Sequence, residues 1–406
     1  MAVDLPVWQP LGQVAGVRLS ALAAGIKKSG APDLALFEFA TGTTCAGVFT
    51  QNAFRAAPVL VAEEHLAKCN PRAWLVNSGN ANAGTGEPGL AAARQSCALL
   101  AAALGSLADE VLPFSTGVIG EDLPLERIQT AVPRLVEGLR QDAWEDAARA
   151  IMTTDTAPKG LVVDRQVNGI SFRVAGISKG AGMIRPDMAT MLAFVATDLP
   201  IGQPLLERLL REAADNSFNR ISIDGDTSTN DACVLAATGQ VDCPTLVDPA
   251  APVSQAFSAA LREVCGGLAE RIVRDGEGAT KLIRIQVVGA ADADEALRVA
   301  YTVAHSPLVK TACFAGDPNW GRILAAVGRS GISRLDLSAV RIHLDDVLIV
   351  SQGARAPSYQ EGAGARVMAG SEIPITIDLG RGTHSEAVLT TDLSYEYVRI
   401  NAEYRT

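Results

Sequence analysis

An α/β fold built of mixed sheets with flanking helices is predicted by three observations. Helical repeats alternate along the chain with strand-like runs, an Asn-Gly dipeptide separates two such runs, and apolar residues make up 48% of the 406 against 20% charged. That balance belongs to an ordinary globular protein with a sizeable core. The length fits two or three domains or one large intertwined unit, and composition marks no boundary.

Taken in order, AARQSCALLAAALG (92–105) has helix-favouring composition and spacing. Next, Asn168-Gly169 lies between LVVDRQV and ISFRVAGI. Both central residues of a type I′ turn need positive φ, so this pair predicts a hairpin. Its returning strand runs into Ser178-Lys179-Gly180-Ala181-Gly182, delivering a lysine and two glycines to one place. A second helix is expected over 203–218. A third lies in PVSQAFSAALREVCGGLAERIVRDG, where Phe257, Leu261, Val264, Leu268 and Ile272 repeat at helical spacing. Ile373, Ile375, Ile377 and Leu379 alternate as a half-buried strand does.

The formal charge of −10 opposes binding to nucleic acid or an anionic membrane, so small molecules are the expected partners. No apolar run reaches the ~20 residues of a membrane span, and MAVDLPVWQP lacks signal-peptide features, so the expected compartment is the cytoplasm. Cys45, Cys69, Cys97, Cys233, Cys243, Cys265 and Cys313 form no C-x-x-C pair and read as buried thiols. His65, His305, His343 and His384 show no metal-ligand spacing, and no metal site is expected.

Candidate chemistry centres on GAGMIRPDMATMLAFVATD (180–198). Taken alone, Thr190 reads as a strand or N-cap threonine. Its surroundings suggest otherwise. Small Ala189 leaves its carbonyl open, and the glycine- and proline-rich backbone upstream suits an N-to-O acyl shift by the Thr190 hydroxyl. Cleavage would free an α-amine with a reference pKa near 8, suited to act as base for its own hydroxyl. FSTGVIG (114–120) reads on its own as a strand-to-helix turn. Its alternative is an oxyanion hole, in which a hydroxyl and an adjacent unhindered N–H converge on one developing negative charge.

Three further motifs take plainer readings. DGDTSTND (224–231) has Thr229 and Leu235 where a calcium loop needs Gly and Glu, so a polar turn is expected. GDPNWGR (316–322) lacks the rest of a phosphate-binding signature and is read as a tight turn carrying Trp320 and Arg322. Gly276-Glu277-Gly278 is expected to leave an acidic side chain exposed in a solvated turn.

The ordered set STGVIG, IMTTDTAPK, KGAGMIRPDMATML, SFNRISIDGDTSTND, RDGEGATK and GDPNWGR resembles the glutamate N-acetyltransferase, or ornithine acetyltransferase, family of arginine biosynthesis, over essentially the whole chain. Family members commonly carry serine and asparagine where this chain has Ala181 and Asp187; neither change touches the nucleophile, though Asp187 bears on the rate of self-cleavage. The resemblance implies a layered sandwich of the kind shared with self-cleaving aminopeptidases. It implies cleavage between Ala189 and Thr190 into an α chain (1–189) and a β chain (190–406) that intertwine as one catalytic unit, as an α2β2 heterotetramer. It also implies an acetyl-Thr190 intermediate that takes acetyl from N-acetylornithine, releases ornithine and yields N-acetylglutamate with glutamate, with Thr116 and Gly117 holding the oxyanion. Substrate contacts carry over to Thr153, Lys179, Thr190, Glu277, Asn401 and Thr406. Lys179 would meet the substrate α-carboxylate and Glu277 an amino group. No cofactor is implied; the motifs are common to members that also use acetyl-CoA as donor and members that do not. An N-terminal-threonine amidohydrolase is the competing expectation.

Overall fold

The structure, a computed structural model, describes residues 2–185 and 191–403. Ala189, Thr190 and Thr406 therefore lie outside the described residues. Two compact units emerge. The larger takes Val7–Asn219 and Asp226–Ile272; the smaller takes, of the described residues, those before Val7, Arg220–Gly225 and those from Val273 on.

The strands of the larger unit are β1 (Val17–Leu22), β2 (Leu34–Phe39), β3 (Thr44–Phe49), β4 (Ala73–Asn80), β5 (Val111–Val118), β6 (Lys159–Val167), β7 (Ile170–Lys179), β8 (Leu192–Thr197) and β9 (Ala232–Ala237). They form a four-stranded sheet, β1-β2-β4-β5, and a five-stranded sheet, β3-β9-β8-β7-β6. The helices are α1 (Ala57–Lys68), α2 (Gly86–Leu104), α3 (Leu125–Glu137), α4 (Trp144–Ala150), α5 (Gln203–Asp215) and α6 (Pro252–Arg274). One core joins the two sheets face to face: Phe37, Trp74 and Phe114 of the first meet Phe194 of the second, with ring centroids 5.1, 5.7 and 5.2 Å away. Such ring pairs stabilise beyond the area they bury. Helices α1 to α3 cover the outer face of the four-stranded sheet. On the outer face of the other sheet α5 packs on β3 and β9, and Phe257 of α6 meets Phe172 of β7. The result is a four-layer α/β/β/α sandwich, the mixed-sheet class expected.

The Asn-Gly prediction holds. Val167 pairs with Ile170 across a two-residue turn, with φ of 53° at Asn168 and 82° at Gly169. Helix α2 starts earlier than expected, at Gly86, because Pro88 is tolerated in a first turn, and it stops at Gly105, whose φ of 68° closes it. Helix α5 ends at Asp215, three residues short of the expected end. All five periodic residues of α6 are buried.

The smaller unit holds β10 (Leu282–Ala290), β11 (Arg341–Leu344), β12 (Val347–Ser351), β13 (Ala354–Arg355), β14 (Glu372–Asp378) and β15 (His384–Thr391) in the order β13-β12-β11-β14-β10-β15. Its helices are α7 (Ala293–Ala304), α8 (Pro307–Ala315), α9 (Trp320–Gly328), α10 (Glu361–Met368) and α11 (Tyr395–Glu403). Ile373, Ile375 and Ile377 of β14, with Leu379 just beyond it, are buried as their alternation predicts. GDPNWGR joins α8 to α9, with Gly316 in the left-handed region at one helix end and the Asn319 side chain accepting from Arg322 N–H at the other. Among the described residues no helix is long and apolar enough to cross a membrane.

Candidate active site

The hairpin carries Lys179 to the last position of β7, where it pairs with Leu192, the first residue of β8 and two residues along the chain from Thr190. Leu192 also pairs with Ala232, the first residue of β9. Backbone strain lies just upstream, since Met183 adopts φ 57°, an uncommon value for a non-glycine.

Thr116 stands near the end of β5, 8% exposed, and accepts a hydrogen bond from Nζ of Lys179 at 3.2 Å. FSTGVIG is thus not primarily a turn: residues 114–118 belong to the strand, and the connection to α3 follows it. Gly117 takes φ 135° opposite Gly79 of β4. A Cβ there would lie 2.4 Å from the Gly79 carbonyl carbon, so only glycine fits.

The centre of the cluster is Asp155, whose side chain is fully buried. Its Oδ1 accepts from Nζ of Lys159 at 2.6 Å and from the Gly180 N–H at 2.7 Å; its Oδ2 accepts from the Thr153 N–H at 2.9 Å. Burial raises the pKa of this carboxyl, but the charges of Lys159 and Lys179 and the Gly180 N–H more than reverse that and hold it well below the usual range. One carboxylate therefore ties the Thr153 loop to the end of β7. Half-buried Lys27 feels both Asp155 and Lys179, and burial lowers its pKa to about 8.

Sequence reasoning assigned no role to Asp155 or Lys159, although both stand in IMTTDTAPK. It also missed the asparagines that frame β5. Oδ1 of Asn77 accepts from Ser115 Oγ at 2.5 Å, and Nδ2 of Asn230 donates to the carbonyls of Ala81 and Ser115 at 2.7 and 2.9 Å. DGDTSTND is a polar loop as expected, but its second half is packed inside: Ser228, Thr229, Asn230 and Asp231 are buried. The available signal was an asparagine set directly ahead of an all-apolar strand.

Within the smaller unit, Nδ2 of Asn401 on α11 donates to Oε2 of Glu277 at 2.8 Å. Glu277 is half-buried rather than exposed, because α11 packs on its turn: a Cβ at Gly278 would lie 2.3 Å from Tyr397 N, and Ser394 Oγ donates to the Gly278 carbonyl at 2.6 Å. Two expected substrate contacts 124 positions apart thus meet. Among the described residues no group of His, Cys, Asp or Glu side chains could hold a metal ion.

The ArgJ family profile matches residues 18–406. The arginine biosynthesis bifunctional protein ArgJ of Methylococcus capsulatus is 59% identical over 393 residues, 97% of this chain and 96% of that one. Its counterpart in Pseudomonas syringae pv. tomato is 53% identical over 406 residues, 100% of each chain. The crystal structure of arginine biosynthesis bifunctional protein ArgJ from Bacillus halodurans is similar with a TM-score of 0.48 and 38% identity, over 51% of this chain and 96% of that chain. With a profile match that runs from residue 18 to the last residue and relatives this similar end to end, the chain belongs to the ArgJ family.

Proposed function

We propose that this acetyltransferase of arginine biosynthesis works through a covalent relay on Thr190. Cleavage at Ala189-Thr190 gives chains 1–189 and 190–406 and frees the Thr190 amine. Oγ of Thr190 then attacks the acetyl carbon of N-acetylornithine, its proton passing to that amine. As the tetrahedral adduct collapses, the C–N bond breaks and the departing N2 of ornithine takes the proton. Glutamate attacks the acetyl-threonine ester in the reverse sense, giving N-acetylglutamate and the free hydroxyl. The Thr116 hydroxyl and Gly117 N–H receive the oxyanion in both halves.

The observation that carries this reading is the convergence of Thr116, Lys179 and the Thr153 loop, with Lys179 paired to the strand that begins two residues after Thr190. The net charge of −10 repels glutamate at long range, so local lysines must supply attraction. Lys179 is the proposed partner of a substrate carboxylate, Glu277 and Asn401 of an amino group, with Thr153 and Thr406 as further contacts. We place the protein in the cytoplasm, where thiols such as the seven free cysteines persist, and as an α2β2 assembly.

Incubation with N-acetylornithine and glutamate, with and without acetyl-CoA, tests the activity by mass spectrometry of the products. Ornithine and N-acetylglutamate should form together in equal amounts without acetyl-CoA. Acetate in place of N-acetylglutamate would make the protein a hydrolase. Added N-acetylglutamate formed from acetyl-CoA and glutamate alone would establish the second donor.

A further inference from the structure

We propose that Lys179 is a positioning residue for the oxyanion, acting through the hydroxyl of Thr116. The inference rests on the acetyl-Thr190 reading and gives Lys179 a second task beside the substrate carboxylate. An ammonium only donates, so the 3.2 Å contact from Nζ to Oγ1 of Thr116 occupies a lone pair of that hydroxyl and leaves its proton to be given elsewhere. Among the described residues that proton has no acceptor. A hydroxyl that accepts from a cation becomes a stronger and better-aimed donor, because hydrogen bonds in a chain polarise one another.

The framework keeps this contact in place. Lys179 is 4% exposed, at the end of a strand paired on one side through Ser178 to Lys159 and on the other through Leu192. The next residue gives its N–H to Asp155, which is fixed in turn by Lys159 and the Thr153 N–H. The backbone leading into Thr116 is held as well, since Ser115 is bonded on both its side chain and its carbonyl. A cation placed this close to a developing negative charge needs no reorganisation during the reaction. No proton leaves Lys179 or Thr116. As Oγ of Thr190 bonds to the acetyl carbon, the carbonyl electron pair moves onto oxygen, and that oxygen accepts from Thr116.

A double-mutant cycle with T116V, K179M and both together tests this, reading kcat and KM for N-acetylornithine. T116V should lower kcat by about 10²-fold, the usual effect of losing one such donor. K179M should lower kcat by a similar factor in the parent, and by no more than about threefold when Thr116 is already Val, because coupled residues are not additive. K179M acting through KM with kcat kept, or slowing the T116V protein as much as the parent, would overturn the proposal. If K179M does not mature, K179Q, which removes the charge, completes the cycle under the same criterion. A parent enzyme that forms no acetyl adduct on the Thr190 chain contradicts the underlying reading instead.

Discussion

At the residue scale, Thr116 and Asp155 are separable by what their loss does. Thr116→Ala removes a donor used mainly in the transition state, so kcat should fall by about 10² to 10³ with little change in KM. A kcat within about threefold of the parent would return Thr116 to a structural hydroxyl. Asp155→Ala leaves the buried Lys159 ammonium without its carboxylate, a change that typically costs about 3 to 5 kcal/mol and is read from urea unfolding. Lys310 offers a pH test. Its Nζ donates to Thr390 Oγ1 at 3.1 Å and to the Thr391 carbonyl, and burial lowers its pKa from 10.5 to about 8. Between those two values the unfolded chain binds the proton and the folded one does not, so this group makes stability rise with pH across that window. Lys310→Met should show a smaller gain between pH 8 and 10; an unchanged gain would mean that Lys310 keeps its charge. Thr116 was legible through the family resemblance carried by STGVIG, since a hydroxyl beside a glycine reads on its own as a turn. Asp155 was not: Lys159 stands only four residues on, but nothing in the spacing showed that both side chains are buried, and the Gly180 N–H and Lys179 that complete the cluster come from a distant strand.

At the element scale, the hairpin from β6 to β7 was the part most legible in advance. Two residues needing positive φ leave few alternatives, and the register follows from the turn. Gly169→Val puts a β-branched residue at φ 82° and should cost on the order of 1 to 2 kcal/mol, read as a lower urea midpoint. A smaller effect would mean that the turn had relaxed. Strand β14 and helix α6 were also legible, since their apolar periods of two and about 3.6 match the faces they bury. The buried strap ahead of β9 was not, because Ser228 to Asp231 carry the composition of a surface turn. What buries them is the hydrogen bonds they make, such as those of Asn230 to β5 and to Ala81.

At the scale of the whole molecule, the division into two compact units was hidden because the boundary at Ile272/Val273 falls inside helix α6, with no linker composition to mark it. The five-stranded sheet takes β3, β6 and β7 from before Thr190 and β8 and β9 from after it, and six residue pairs join β7 to β8. Cut chains should therefore co-elute in native size exclusion and part only in denaturant; separation under native conditions would contradict this shared sheet. The central claim is that Thr190 is released by cleavage and then carries the acetyl group. Mass spectrometry of the purified protein after exposure to N-acetylornithine alone tests it most directly. The account predicts two chains, the second beginning Thr-Met-Leu-Ala and about 42 Da heavier on Thr190, as an acetyl-enzyme requires, with Thr190→Ala remaining a single unmodified chain. A single intact chain from the unaltered sequence, or an acetyl group found on any residue other than Thr190, would contradict it.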